Sequence, residues 1–394
     1  MSFEIGMTYT MRWFGPNDTV PLTFIRQAGC TGVVTALHQI PVGEVWPVEA
    51  INQRKQMVED AGLRWKVVES LPVHEDIKKR SGNYLQYIQN YKQSLENLAA
   101  CGLQVVAYNF MPLFDWMRTD VDYTLPDGSK ALYFEKSAFI AFDVWMLQRP
   151  GAAKSYTEEE LQKAKTKYGS LTETQKQILF TNTLLSLPGT DEAFTVEGVL
   201  NALETYKNID ETQLRKNLFF FLEQVIPVAE SAGIKMAIHP DDPPFSIFGL
   251  PRIVKTETDA QAIVDAVPSP SNGLCFCTGS FGVREDNDLP GMMRRLGQQV
   301  HFLHLRSTRR KPNGDFYEAD HLTGDVDMYE VIKEALVHMQ NRNISMPMRP
   351  DHGHAMLDDL TKKTYPGYTA IGRLKGLAEL RGLELGIMRS PSFG

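Results

Sequence analysis

Cysteine is scarce in this chain. Four cysteines in 394 residues cannot make a disulfide framework. Cys275 and Cys277 stand too close along one segment for an easy bridge, so free thiols and a reducing, cytoplasmic location are expected. Positive charge is also in deficit, with 41 Lys and Arg against 48 Asp and Glu and a net charge of -7 at pH 7. That balance argues against a nucleic-acid partner, which would select a basic face. No apolar run approaches the roughly 20 residues of a membrane span, so no membrane partner is expected. The opening residues, Met1-Ser2-Phe3-Glu4-Ile5-Gly6, lack the basic and apolar regions of a secretion signal.

What remains is ordinary globular composition, 43% hydrophobic and 23% charged. Its order is informative. Short apolar runs alternate with amphipathic stretches that stop at glycine. Expected strands are Arg12 to Gly15, Gly32 to Leu37, Arg64 to Glu69, Val105 to Phe110, Lys235 to His239, Gly273 to Cys277, Val300 to His304 and Ser345 to Met348. Between them lie helical patterns over Pro21 to Ala28, capped by Asp18 or Thr19, and over Val48 to Ala61 and Tyr84 to Ala100. Others span Asn217 to Ala232, Asp259 to Ala266, Leu289 to Leu296, Asp327 to Met339 and Ala370 to Leu383. Near-continuous apolar runs such as Gly32 to Leu37 mark strands buried on both faces. Eight such strands alternating with helices predict an α/β fold, a TIM barrel, with residues 1–394 forming a single catalytic domain.

The rhythm breaks once, from about Leu113 to Arg215, after the fourth strand. There the chain has no buried strand run. It has a turn at Asp127-Gly128 suited to a small hairpin and polar helical stretches over Tyr156 to Tyr168 and Thr172 to Leu187. We read a helical insertion, either a lid or oligomer contact or a surface elaboration without catalytic residues.

The chemistry gathers at the ends of the later strands. His239, Cys277, His304 and Asp351 close strands five, six, seven and eight. In a barrel these ends are neighbours on the face that carries the active site. Each residue alone has a plainer reading: a rim histidine, a small buried thiol, a helix cap. On four successive strands they predict a metal site. Thiolate and imidazole suit Zn, Fe or Co, and a carboxylate extends the choice to Mn. Cys275 is expected in the core and His301 in a structural role.

Other polar residues crowd the same ends. Asp241 and Asp242 sit in the stiff loop His239-Pro240-Asp241-Asp242-Pro243-Pro244. Thr278, Gly279 and Ser280 offer small donors. Arg306 and Arg349 can each grip a carboxylate through two hydrogen bonds, although Arg349 can also pair with Asp351. His38, Glu69, His74 and Asn109, near the ends of strands two to four, are substrate-binding candidates. His352 is a candidate general acid or base, as are Tyr365 and Tyr368; for the tyrosines, loop packing is the plainer reading.

These motifs resemble the mannonate dehydratase family, within the xylose-isomerase-like barrels. The resemblance is carried by Arg12-Trp13-Phe14-Gly15-Pro16-Asn17-Asp18, Gly32 to His38, the His239 to Pro244 loop, Cys277-Thr278-Gly279-Ser280, His304-Leu305-Arg306-Ser307-Thr308, Gly324-Asp325-Val326-Asp327-Met328 and Arg349-Pro350-Asp351-His352-Gly353-His354. It implies dehydration of D-mannonate to 2-dehydro-3-deoxy-D-gluconate in hexuronate breakdown. It implies Mn(II) or Fe(II) on His239, Cys277, His304 and Asp351, and a homodimer. It matches the family's catalytic histidine to His352 and its catalytic tyrosine to Tyr368, with Tyr365 close by. Two alternatives stay open: a metal-dependent sugar isomerase on the same barrel, and a non-catalytic sugar-acid binding protein.

Overall fold

A computed structural model describes residues 5–185, 195–391 and 393. Its strands, in chain order, are β1 (Met7–Arg12), β2 (Gly32–Thr35), β3 (Arg64–Glu69), β4 (Val105–Tyr108), β5 (Asp120–Thr124), β6 (Lys130–Phe134), β7 (Lys235–Ile238), β8 (Asn272–Cys277), β9 (Val300–Leu305), β10 (Ser307–Arg310), β11 (Phe316–Ala319) and β12 (Met346–Pro350). Eight of them close a barrel in the order β1-β12-β9-β8-β7-β4-β3-β2, every pair of neighbours parallel. The expected TIM barrel is therefore present. Its register sets the site: Cys277 on β8 pairs with His304 on β9, and His304 with Arg349 on β12.

Barrel strands are buried because helices cover them outside and side chains fill them inside. Val34, Val67, Ala107, Ala237, Cys275 and Phe302, one from each of six adjacent strands, form a small cluster apart from the main core. Cys275 thus packs in the core as expected. His301 is buried at the opposite end of β9 from His304, also as expected.

Helices appear where periodicity placed them, at Val48–Asp60, Tyr84–Ala100, Glu211–Ser231, Glu257–Ala266, Leu289–Leu296, Met328–Arg342 and Ala370–Met388. The first helix, Leu22–Gln27, differs in its cap. Pro21 occupies the N-cap without a side-chain bond, while Asp18 accepts from the backbone N–H groups of Phe14 and Val20. Asp18 therefore closes the loop after β1 and does not cap the helix. The first strand also lies earlier than expected, at Met7–Arg12, since its alternating Met-Thr-Tyr-Thr-Met hides it from an apolar-run criterion.

The segment after β4 is not purely helical. It opens with the β5–β6 hairpin, turning at the expected Asp127-Gly128. Strand β6 is a buried run that the sequence reading missed, with Ala131, Leu132, Tyr133 and Phe134 enclosed. Strand β11 pairs with β6, and β10 with β11, giving a second, antiparallel sheet in the order β10-β11-β6-β5. This sheet ties the segment after β4 to the segment after β9. Helices Glu158–Ser170 and Glu173–Thr183 follow, each opened by a capping box, Thr157 with Glu160 and Thr172 with Gln175. The expected end of the second helix at Leu187 lies outside the described residues. A second apolar cluster, including Phe114, Phe134, Phe139, Phe142, Phe248 and Phe316, holds this region together.

Candidate active site

The C-terminal ends of β7, β8 and β9 bring His239, Cys277 and His304 together. One ligand atom from each lies within 4.8 Å of the others. The rings of His239 and His304 are 4.9 Å apart. The Nδ1 of His239 is 2.6 Å from the Pro240 carbonyl, which fixes a hydrogen there and leaves Nε2 as the free donor atom. Asp351 stands beside the three, its Oδ2 at 4.0 Å from the Cys277 sulfur. Its carboxylate is also held by Arg349 and lies 3.4 Å from Arg306.

This donor set fits a divalent cation. Burial pushes the Cys277 thiol up, but Arg306 and His239 outweigh it and hold the sulfur well below its usual range, as a thiolate. Burial would lower His239, yet Cys277, Glu69 and Asp351 push it up to about 9. These anionic neighbours favour a positive charge at this point, a place that a bound metal ion can take. Imidazole, thiolate and carboxylate at a strand-end mouth leave room for open coordination positions.

A cleft of about 510 Å³, including its open mouth, lies against this cluster. His239, Asp351, Arg306, Arg349, His352, Tyr368 and Asn109 all line it, so most of the expected site residues converge. His38 does not line it; it is half-buried against the Phe14 ring, with centroids 5.9 Å apart. His74 is elsewhere, accepting from Asp76 N–H at a helix start and stacked on Tyr87. Asn109 bonds Asp115 and the Met111 N–H, so its amide is engaged locally. Of the two loop tyrosines, Tyr368 reaches the cleft, with its ring 5.3 Å from that of His352. Both rings pack on Phe14, but Tyr365 does not line the cleft. Burial, with Asp351, pushes the Tyr368 phenol up to about 12, so it stays protonated.

The loop carrying His352 and the loop carrying Tyr368 meet through backbone, Gly353 N–H donating to the Gly367 carbonyl at 2.8 Å. A Cβ at Gly353 would sit 2.4 Å from the Arg373 backbone nitrogen, so only glycine lets this loop lie against the start of the last helix.

The two arginines expected to hold substrate are occupied. Arg306 bonds Asp242 at 2.7 Å and faces His352 Nδ1 at 3.0 Å. Arg349 bonds Glu69 at 3.0 and 2.9 Å. Asp241 and Asp242 part company: Asp241 accepts from Ile253 and Val254 N–H, while Asp242 lines the cleft. Ser280 donates to Asp242 or to the Cys277 sulfur, both at 3.2 Å, and Thr278 to the Arg306 carbonyl; neither is spare for a ligand.

Sequence reasoning passed over Glu318. It sits on β11, with Oε1 at 3.2 Å from His352 Nδ1 and at 2.7 Å from Arg118. Burial would raise its carboxyl, but Arg306, His352 and Arg118 prevail and hold it at about 2. A short polar strand gave no signal for it. Asp115 and Trp116, at the start of the segment after β4, also line the cleft, so that segment is not a bystander.

Comparison with known proteins places the chain. The model of the D-mannonate dehydratase (UxuA) family matches residues 7–392. A mannonate dehydratase of Marinomonas sp. (strain MWYL1) is 56% identical over 387 residues, covering 97% of this chain and 99% of that protein. One from Saccharophagus degradans is 50% identical over 384 residues, covering 96% and 97%. The crystal structure of mannonate dehydratase from Streptococcus suis serotype 2 superposes with a TM-score of 0.78 at 35% identity, covering 99% and 97% of the two chains. A D-psicose 3-epimerase from Clostridium cellulolyticum H10 shares the barrel, with a TM-score of 0.53 at 12% identity. With the family model and both relatives running almost end to end along it, the chain belongs to the D-mannonate dehydratase family.

Proposed function

We propose that His239, Cys277, His304 and Asp351 hold one divalent metal, Mn(II) or Fe(II), and that D-mannonate loses water in the adjoining cleft to give 2-dehydro-3-deoxy-D-gluconate. The chain is a hydro-lyase. The observation that carries the site assignment is the meeting of three donor atoms within 4.8 Å of one another beside a cleft lined by His352 and Tyr368.

The reaction asks for three things. The C2 proton, next to a carboxylate, is very weakly acidic, so charge developing there needs fixed positive partners. A bound divalent cation supplies Lewis acidity toward substrate oxygens. Buried Arg306 and Arg349 supply fixed positive charge. His352 acts as base and takes the C2 proton, and the C–H electron pair becomes the C2–C3 double bond. Tyr368, protonated, gives its proton to the departing C3 hydroxyl. The resulting enol tautomerises to the 2-keto acid. Trp116 and Tyr368, each ring set roughly perpendicular to that of His352, fix the imidazole in the cleft.

The segment at about 113–215 belongs to one catalytic domain spanning residues 1–394, a reading supported by Asp115 and Trp116 in the cleft wall. The chain works in the cytoplasm as a homodimer. Four free cysteines support a reducing compartment, and no helix among the described residues is long and apolar enough to cross a membrane. The dimer rests on the family resemblance alone.

The test is turnover of D-mannonate by metal-stripped protein, before and after adding Mn(II) or Fe(II) without oxygen, following the 2-keto-3-deoxy product. Metal-restored product formation is expected. Absence of product from folded, metal-loaded protein would overturn the reaction.

A further inference from the structure

Three arginines form part of the cleft wall: Arg12, Arg306 and Arg349. Two are already engaged. Arg349 gives Nε and Nη2 to Glu69 and Nη1 to Asp351. Arg306 gives Nη2 to Asp242 while its Nη1 faces His352; its Nε, 3.4 Å from Glu318, makes no hydrogen bond, but both ends of its guanidinium are held. Arg12 is different. Its Nη1 lies 3.2 Å from Glu69 Oε1, a carboxylate already shared with Arg349 and with His304 Nε2 at 3.4 Å. Its Nε is buried and has no hydrogen-bond partner among the described residues.

The Arg12 guanidinium is nonetheless well held. Its carbon lies 4.7 Å from the centre of the Phe14 ring. Its backbone carbonyl accepts from Arg373 at 2.7 Å, which pins the end of β1. The side chain is 7% exposed as a residue, so solvent does little to satisfy the free donor. Other residues of the same wall carry orphan donors too: Trp116 Nε1, Tyr108 Oη and Arg306 Nε are each buried without a hydrogen-bond partner, and the Trp116 ring lies 5.9 Å from that of His352. A buried donor left unpaired costs about 1–3 kcal/mol. Four of them on the residues of one cleft wall imply an occupant rich in acceptor oxygens.

We propose that Arg12 seats the carboxylate of the substrate and that Trp116 Nε1 donates to one of its hydroxyl oxygens. This deepens the sugar-acid reading above and rests on it. A guanidinium held over an aromatic ring, with its Nε unpaired, suits a planar carboxylate. It also gives the cleft its preference for an acid over a neutral sugar, because the orphan donor stays unpaired when the carboxylate is missing.

The test uses metal-loaded, full-length protein and calorimetric binding of D-mannonate and of its neutral amide, alongside steady-state kinetics. Wild type should prefer the acid. Arg12→Gln should weaken acid binding roughly 10- to 100-fold and leave the amide near its wild-type affinity. KM should rise by a similar factor, with kcat changed much less. Arg12→Lys should recover part of the preference. Trp116→Phe should weaken acid and amide alike. The proposal is overturned if Arg12→Gln binds the acid as wild type does, or weakens acid and amide equally. Should the glutamine variant fail to fold, an unchanged acid-to-amide ratio in Arg12→Lys overturns it instead. A wild type that binds both ligands equally also overturns it. A wild type that prefers the acid but forms no product overturns the reaction and leaves this assignment standing.

Discussion

Arg118 donates to Glu318 at 2.7 Å, joining the segment after β4 to the segment after β9 in a pair with no solvent contact. The same guanidinium bonds Asp242 at 2.7 Å, and Asp242 in turn bonds Arg306 at 2.7 Å. Arg306 and Glu318 both face His352 Nδ1. Buried charges therefore alternate in sign from the antiparallel sheet to the candidate base. Replacing Arg118 by Met leaves Asp242 and Glu318 to share Arg306 alone. Removing one partner of a buried pair destabilises by roughly 3–5 kcal/mol. Arg118→Met should lower the chemical denaturation midpoint accordingly. Arg118→Lys, which keeps the charge but reaches only one carboxylate well, should fall between. An unchanged midpoint in the methionine variant would show that the pair contributes nothing.

Glu318 makes a separate claim on catalysis. Its oxygen lies 3.2 Å from His352 Nδ1, the nitrogen that Arg306 also faces; in the tautomer with Nδ1 protonated, Glu318 accepts that hydrogen, orients the ring and leaves Nε2 for the substrate. Glu318→Gln keeps the shape and loses the charge. It should lower kcat by roughly 10²-fold, the scale on which a positioned acid–base group contributes, while metal content holds. Wild-type turnover in this variant would remove Glu318 from the catalytic machinery.

The proton-transfer roles predict a matching pattern. His352→Asn and Tyr368→Phe should each cut turnover by roughly 10²- to 10⁴-fold with a full complement of metal. Tyr365→Phe should be nearly silent, since that ring packs on Phe14 outside the cleft. Activity surviving in Tyr368→Phe but lost in Tyr365→Phe would reverse the assignment.

Cys277→Ser tests the metal ligands in the opposite sense. The thiolate sits within reach of both imidazoles, and a hydroxyl is a far poorer ligand for a borderline cation. Metal retained after dialysis against a chelator should fall by at least roughly tenfold, in line with losses seen when the surroundings of a metal site are altered. Unchanged affinity would exclude Cys277 as a ligand.

Seven of the eight barrel strands were legible because a strand buried on both faces is mostly apolar, as Leu274 to Cys277 and Val300 to Leu305, broken only by His301 and His304, show. The donor triad was legible for a related reason: a polar residue ending such a run must sit at the rim, and consecutive strands place their rims together. Strands β10 and β11 were not, since Ser-Thr-Arg-Arg and Phe-Tyr-Glu-Ala carry no such run and pair antiparallel outside the barrel. Glu318 was lost with them. Arg306 was read as a substrate clamp because its partners, Asp242 and Glu318, come from distant segments, and long-range charge pairing leaves no local pattern. Only the structure shows that Arg12 keeps a free donor.

Buried histidines set the acid limit of the fold. Burial is the first cause in each: it holds His38 and His301 down at about 3 and His321 at about 4. In the unfolded chain each returns to about 6.5. Between these values the unfolded state binds a proton that the native state refuses, so stability falls as pH drops through that window. Carboxyls raised by burial, Asp241 at about 6 and also Asp18, Asp115 and Glu384, work the other way over their own ranges. Paired carboxylates such as Glu318 add to the acid loss only below their unfolded range, and comparing wild type with a variant at one histidine over pH 7 to 5 removes the share of every other group. His301 is the cleanest probe, because it lies at the far end of β9 from the candidate metal ligands. In His301→Gln the loss of unfolding free energy between pH 7 and pH 5 should shrink by about 2 kcal/mol relative to wild type. Urea midpoints measured at both pH values on metal-loaded protein give that difference directly. An identical pH dependence in the two proteins would mean that His301 is protonated in the folded state and that burial does not hold it neutral.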